Sequence, residues 1–178
     1  EPKAAADGRV LHVYPPDWKG PRTEPSFTGL MSAYQGAGGG DWAVVSERKV
    51  RPGDVILLHA GRYRADRFNY SDPLGLDFHG AYVLTAKGTP GRPIVIRAAG
   101  DGEVIFDGAG CYRLFDVMAA DNHIFENLTI VNCDIAFYAG LKDVAGCSGL
   151  TVRNCRMEEV GIAITTQFAG SRDFLISD

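Results

Sequence analysis

The sequence predicts an all-β solenoid, a chain that runs in laps of about 22 residues and stacks each lap on the one before. Three observations carry this expectation. The phrase LTIVNC at 128–133 returns as LTVRNC at 150–155, an offset of 150 − 128 = 22 residues. The same offset relates Asn132 to Asn154, Cys133 to Cys155 and Asp121 to Asp143, and FLISD at 174–178 matches LTVRN at 150–154 at an offset of 24. Finally, the copies alternate apolar and polar residues, and the connecting CDIAFYAGLKDVAGCSG is broken by glycines where a helix would have to run. Leucine-rich repeats share the period, but their LxxLxLxxN consensus is absent.

The elements follow in chain order. Residues 1–49 are expected to form a strand and a short capping helix. In EPSFTGLMSAYQGAG the apolar residues Phe27, Leu30, Met31 and Tyr34 lie on one helical face. Ser26 is placed to cap the start of this helix and Gly36 to stop it. Such a helix would cover the apolar end and strand edges of the first lap. The laps begin at residue 50, where PGDVILLHAGRY (52–63) reads as turn, strand, turn. RYRADRFNYSDPLGLDFHG (62–80) reads as a long loop with Tyr63, Phe68, Tyr70, Phe78 and His79 among acidic residues. AYVLTAKGTPGRPIVIRAAGDGEVIFDGAG (81–110) gives three short strands punctuated by glycine and proline, and YRLFDVMAADNHIFENLTI continues from it.

On the strand at 128–132, Leu128 and Ile130 are expected inside and Thr129 and Val131 outside. VGIAITT (160–166) adds a second alternating segment to the same lap. The 22-residue register stacks Thr151 on Thr129, Arg153 on Val131 and Asp143 on Asp121. Asn132 and Asn154 take the sharp bend between strands, where asparagine tolerates the left-handed conformation, and their amides form a structural ladder. The final DFLISD stops within a strand–turn unit, so the single domain 1–178 is expected to continue into further laps.

Composition narrows the function. The chain has 178 residues, 46% hydrophobic and 22% charged, enough for one sizeable core. A formal charge of −4 without a Lys/Arg cluster makes nucleic acid a poor partner. No apolar run reaches the roughly 18 residues of a membrane span. EPKAAADGRV has no apolar signal-peptide core and reads as the mature end of a processed secreted protein or as a segment boundary. Cys111, Cys133, Cys147 and Cys155 lack zinc-ligand spacing and read as free, buried apolar fillers. His12, His59, His79 and His123 are scattered and read as structural, and GAGGGD (36–41) lacks the GK[ST] of a phosphate loop.

PGDVILLHAGRY, GTPGRPIVIRAAGDGEVIFDG and the Asn-turn repeats resemble the N-terminal half of right-handed parallel β-helix proteins, over roughly residues 50–178. The nearest in style are polysaccharide lyases of the pectate lyase, alginate lyase and chondroitinase B type. The resemblance implies a single-stranded right-handed parallel β-helix, about 22 residues per rung, with a short N-terminal capping helix. It also implies a secreted or periplasmic protein, with an acidic polysaccharide along one face as partner and no membrane or nucleic acid. In such lyases a Lys or Arg removes the proton α to the uronate carboxylate while Ca²⁺ or another cation neutralises that carboxylate. Carried onto this chain, the catalytic candidates are Lys142, Arg153 and Arg172. Asp121 and Asp143 are the candidate Ca²⁺ ligands. Glu126 and Asp173, with Tyr70 and His79 from the long loop, are the candidate substrate contacts. The clustered aspartates of the hydrolases that share the fold are missing. The other class is a non-catalytic glycan-binding or structural solenoid, in which these charges form a solvated surface.

Overall fold

Every alternating stretch becomes a strand in the structure, a computed structural model that describes residues 6–34, 50–64, 80–143 and 145–178. The chain opens with β1 (Val10–Tyr14), β2 (Ser26–Thr28) and a five-residue helix, α1 (Leu30–Tyr34). Next come β3 (Val55–Leu58), β4 (Gly61–Arg64), β5 (Gly80–Leu84), β6 (Ile94–Ala98), β7 (Val104–Val117), β8 (His123–Glu126) and β9 (Thr129–Tyr138). A small pair, β10 (Gly140–Leu141) and β11 (Ala145–Gly146), is followed by β12 (Thr151–Arg153), β13 (Arg156–Thr165) and β14 (Leu175–Ser177).

The protein is all-β with parallel sheets. One sheet has seven strands in the order β14-β12-β8-β6-β3-β1-β2, every neighbour parallel. A second has the order β13-β9-β7-β4, also parallel, with β5 pairing alongside β7. Among the described strands only β10 and β11 pair antiparallel, and an isolated antiparallel bridge joins Thr89 to Arg92. The chain alternates between the two sheets: β3 leads to β4, β6 to β7, β8 to β9 and β12 to β13.

The register corrects the 22-residue period. Thr151 pairs with Ile124, Arg153 with Glu126 and Arg156 with Thr129, an offset of 151 − 124 = 27. Thr151 therefore does not lie on Thr129, nor Arg153 on Val131. The cause is that these two laps each have two left-handed corners five residues apart. Asn127 (φ 60°) and Asn132 (φ 60°) bend one lap, and Asn154 (φ 48°) and Glu159 (φ 54°) bend the next. Asn154 follows the same strand position as Asn127, and Glu159 falls at the level of Asn132. The repeated phrase matched the second corner of one lap to the first corner of the next, so 22 + 5 gives 27. The 24-residue offset of the last copy holds, with Thr151 on Leu175 and Arg153 on Ser177.

Inward positions form one core. Ile56, Ile96, Phe125 and Val152 come from the first sheet and Tyr63, Phe106 and Ile130 from the second, all buried. Tyr82, Phe115 and Phe137 stack at 5.3 and 5.1 Å between centroids, the offset geometry that aromatic rings favour. Leu128 and Ile130 are buried as expected, whereas Thr129 is covered too, its hydroxyl donating to Glu103 at 2.9 Å. Tyr63, assigned to a loop by sequence, lies on β4 and donates its hydroxyl to the carbonyls of Val13 and His59. Cys133 and Cys147 are buried and Cys111 and Cys155 half-buried, all four as free thiols packed with the core.

At the first strands the helix is shorter than expected. Ser26, Phe27 and Thr28 pair in parallel with His12, Val13 and Tyr14, so Ser26 is a strand residue and not a cap. Leu30, Met31, Ala33 and Tyr34 are buried; Gly36 lies outside the described residues. Tyr34 and His123 share a 3.0 Å hydrogen bond, and the Ala86 N–H donates to the Tyr34 oxygen at 2.9 Å. No helix among the described residues is long and apolar enough to cross a membrane.

Candidate functional site

Because side chains alternate along a strand, the second sheet turns a second set of residues outward. While Tyr63, Phe106, Ile130 and Met157 face the core, two outer rows form by register. One is Arg62, Ile105, Thr129 and Arg156, and the other is Arg64, Asp107, Val131 and Glu158. At the centre, the Asp107 side chain is only 5% exposed. It lies 2.8 Å from Arg62 Nη1 and 3.6 Å from Arg64 Nε. Its Oδ1 accepts the Ala109 N–H at 2.8 Å and the Asn132 amide at 3.4 Å. Burial works to raise the Asp107 pKa, but the Ala109 and Arg62 hydrogen bonds and the charges of Arg62 and Arg64 hold it below the usual carboxylate value.

A bulge in β7 explains how a carboxylate is turned into this position. The pairing with β9 slips between Asp107 and Cys111, and Ala109 (φ 52°) and Gly110 (φ 79°) take left-handed conformations. A Cβ on Gly108 would come within 2.6 Å of the Asn132 carbonyl oxygen, so only glycine fits there. Around Asp107 lies a groove of about 420 Å³ lined by Arg62, Val131, Asn132, Glu158 and Glu159. Through Arg62 it joins a second hollow of about 270 Å³ lined by Pro16, Asp17 and Arg64. The groove crosses four parallel strands from β4 to β13, roughly 14 Å at one strand spacing per step.

The turns that lead into the first sheet form another groove of about 510 Å³, lined by Thr89, Asp121, Asn122, Ser148, Arg172 and Asp173 among others. Asp121 Oδ1 accepts the Ser148 N–H at 3.0 Å, and its Oδ2 is 3.6 Å from Lys87 Nζ. Arg172 Nε is 3.6 Å from Asp173. This groove brings together three of the sequence-derived candidates, Asp121, Arg172 and Asp173. Glu126 and Arg153 meet elsewhere, paired at 3.0 Å on the outer face of the first sheet. Lys142 and Asp143 lie on the turn between β10 and β11. The three catalytic candidates thus fall in three separate places, and the 27-residue register gives Asp121 the neighbour Ser148 where the 22-residue one placed Asp143. Tyr70 and His79 lie outside the described residues.

Calcium takes six to eight oxygen ligands. Asp121 and Asp173 each face a cation, and no group of three or more His, Cys, Asp or Glu among the described residues is placed to hold a metal ion.

Sequence reasoning missed Arg62, Arg64 and Asp107, although the alternation in RYR and IFD carried the signal. It also missed a chain of three polar groups beside the first strands. His12 Nδ1 and His59 Nε2 are 3.0 Å apart, and His59 Nδ1 is 2.7 Å from Asp101 Oδ2. The Tyr14 ring stacks on His59 at 4.1 Å and 3°. Burial, and then the charge of His59, lower the His12 pKa. His12 and His59 are 47 residues apart, so no local spacing could reveal the pair.

Compared with known proteins, the chain matches no family model, and neither the curated proteins nor the solved structures give a match.

Proposed function

We propose that the chain is a single-stranded right-handed parallel β-helix that binds an acidic polysaccharide across its second sheet, and that the protein acts on this polymer as a polysaccharide lyase. The observation that supports this most is the pair Arg62 and Arg64, fixed over buried Asp107 on a groove that crosses four strands. A guanidinium can clamp a carboxylate with two parallel hydrogen bonds. Asp107 holds both arginines while about half of one and most of the other stays exposed, at 49% and 73%. β-Elimination needs the uronate carboxylate neutralised while a base removes the neighbouring carbon-bound proton. In this reading Arg62 and Arg64 provide the neutralising half, and Lys142, Arg153 and Arg172 remain the candidate bases carried over by resemblance.

The second reading is a non-catalytic glycan-binding protein. It is favoured by the separation of those three candidates and by the Glu126 partner that holds Arg153. One assay separates the two. The protein is mixed with uronate polymers, with and without added Ca²⁺, while the absorbance of the unsaturated product and retention on the immobilised polymer are followed. Product formation that falls in Arg62→Ala supports the lyase. Retention without product supports the binding protein. Failure of every acidic polymer to be either retained or cleaved removes the groove reading.

A further inference from the structure

The bulge that positions Asp107 also brings two thiols together. Cys111 and Cys133 are register partners on the adjacent parallel strands β7 and β9. Such partners have Cα atoms about 4.8 Å apart, within the roughly 4.4–6.8 Å that a disulfide spans. Both side chains border the space left by Gly108. A Cβ added to that glycine would lie 2.7 Å from Cys133 Cβ and 2.9 Å from Cys111 Sγ, so those two atoms are at most 2.7 + 2.9 = 5.6 Å apart. Both thiols are free, and Cys111 is the more exposed of the two. Cys147 and Cys155 have no such partner among the described residues. The Cys147 thiol donates to the Ala120 carbonyl and the Cys155 thiol to the Arg153 carbonyl.

We propose that Cys111 and Cys133 are a modification site: a cross-strand dithiol that a small disulfide such as oxidised glutathione converts to a disulfide, fastening the β7 bulge to β9. The Cys111 thiolate attacks one glutathione sulfur and releases a glutathione thiolate. The Cys133 thiolate then attacks the Cys111 sulfur of the mixed disulfide and releases the second. The two cysteines lose two protons and two electrons, and oxidised glutathione becomes two molecules of glutathione. Burial pushes the Cys111 thiol up to about 11 and Cys133 up to about 12. Thiolate is therefore scarce at neutral pH, and closure is slow there and accelerates as pH rises. The cross-link would brace the segment whose other foot is Asp107, but its formation does not depend on the glycan reading.

The test uses the native full chain incubated with oxidised glutathione at mildly alkaline pH, then denatured, alkylated and mapped by mass spectrometry. Two of the four thiols should be lost, with one cross-linked peptide joining Cys111 to Cys133. Cys133→Ser should instead leave a glutathione adduct on Cys111. Four alkylated thiols, or a link through Cys147 or Cys155, would overturn the proposal. The wild-type map decides this whether or not the variant folds, and because no glycan is present it stands apart from the binding assay.

Discussion

The first and last strands of the sheets carry similar apolar patterns and meet different fates. At one end β2 and α1 lie against β1, and Leu30 and Tyr34 are wholly buried. At the other, β14 is the outermost strand of its sheet among the described residues, and Ile176, which pairs with buried Val152 in the row of Phe125, is 64% exposed. In parallel stacked sheets a residue is covered mainly by the next strand, so an inward-facing position is only as buried as its neighbour makes it. The same substitution should therefore have opposite weights at the two ends.

The largest contrast is expected between Tyr34→Ala and Ile176→Ala. Removing a buried aromatic ring costs about 3–5 kcal/mol. Here it would also orphan the Ala86 N–H and His123, adding about 1–3 kcal/mol for each buried group left unpaired. Ile176→Ala should stay within about 0.5 kcal/mol of wild type. Urea midpoints for the two variants check this, and equal losses would break the comparison.

A pH titration sharpens it next. Burial lowers the His123 pKa from 6.5 to about 4, against smaller opposing effects of Asp121. The folded state thus favours neutral imidazole. Its contribution is complete above the unfolded value of about 6.5, is lost as pH falls through that value toward 4, and levels off below 4. The loss is on the order of 3 kcal/mol. His12, also shifted down, acts in the same direction. Urea unfolding at pH 7 and pH 4 should show the drop, and His123→Gln should flatten most of it.

The same contrast explains what could be read from sequence. Strand identity was legible at β3, β6 and β12 because apolar patterning is a local signal. The 24-residue match of β14 to β12 was right, because Thr151 pairs with Leu175 and Arg153 with Ser177. The 22-residue match failed because Asn132 and Asn154 bend different corners, and asparagine marks a left-handed turn without saying which one. Ser26 was taken for a helix cap because its strand partner, His12, lies 14 residues away. The groove was least legible. Arg62, Asp107, Asn132 and Glu158 come from four strands and meet only once the register is fixed, so a register error of five residues put Arg153 on Val131 and left Arg62 unnoticed.

Smaller effects are expected at the groove. Arg62→Ala removes a half-exposed partner of Asp107 and should cost stability no more than about 1 kcal/mol. Retention of an acidic polymer should weaken about tenfold, equivalent to about 1.4 kcal/mol. Arg153→Ala, on the first-sheet face and held by Glu126, should leave retention unchanged. Titration of both variants against one uronate polymer tests this, and equal weakening by the two would move the binding surface away from Asp107.

The smallest effect on folding belongs to the exposed end, where the consequence is colloidal. β14 is the outermost strand of its sheet among the described residues and presents Leu175 and Ile176 to water, and large exposed apolar side chains favour association. A lysine on an edge strand opposes this by charge repulsion and by the cost of desolvating its ammonium. Ile176→Lys should leave the urea midpoint within about 0.5 kcal/mol of wild type, because the side chain is already mostly in water. Light scattering across a concentration series should show less association for the variant than for wild type. A fall in midpoint comparable to that of Tyr34→Ala would mean that the last strands are as strongly coupled to the core as the first, and the difference between the two ends would vanish.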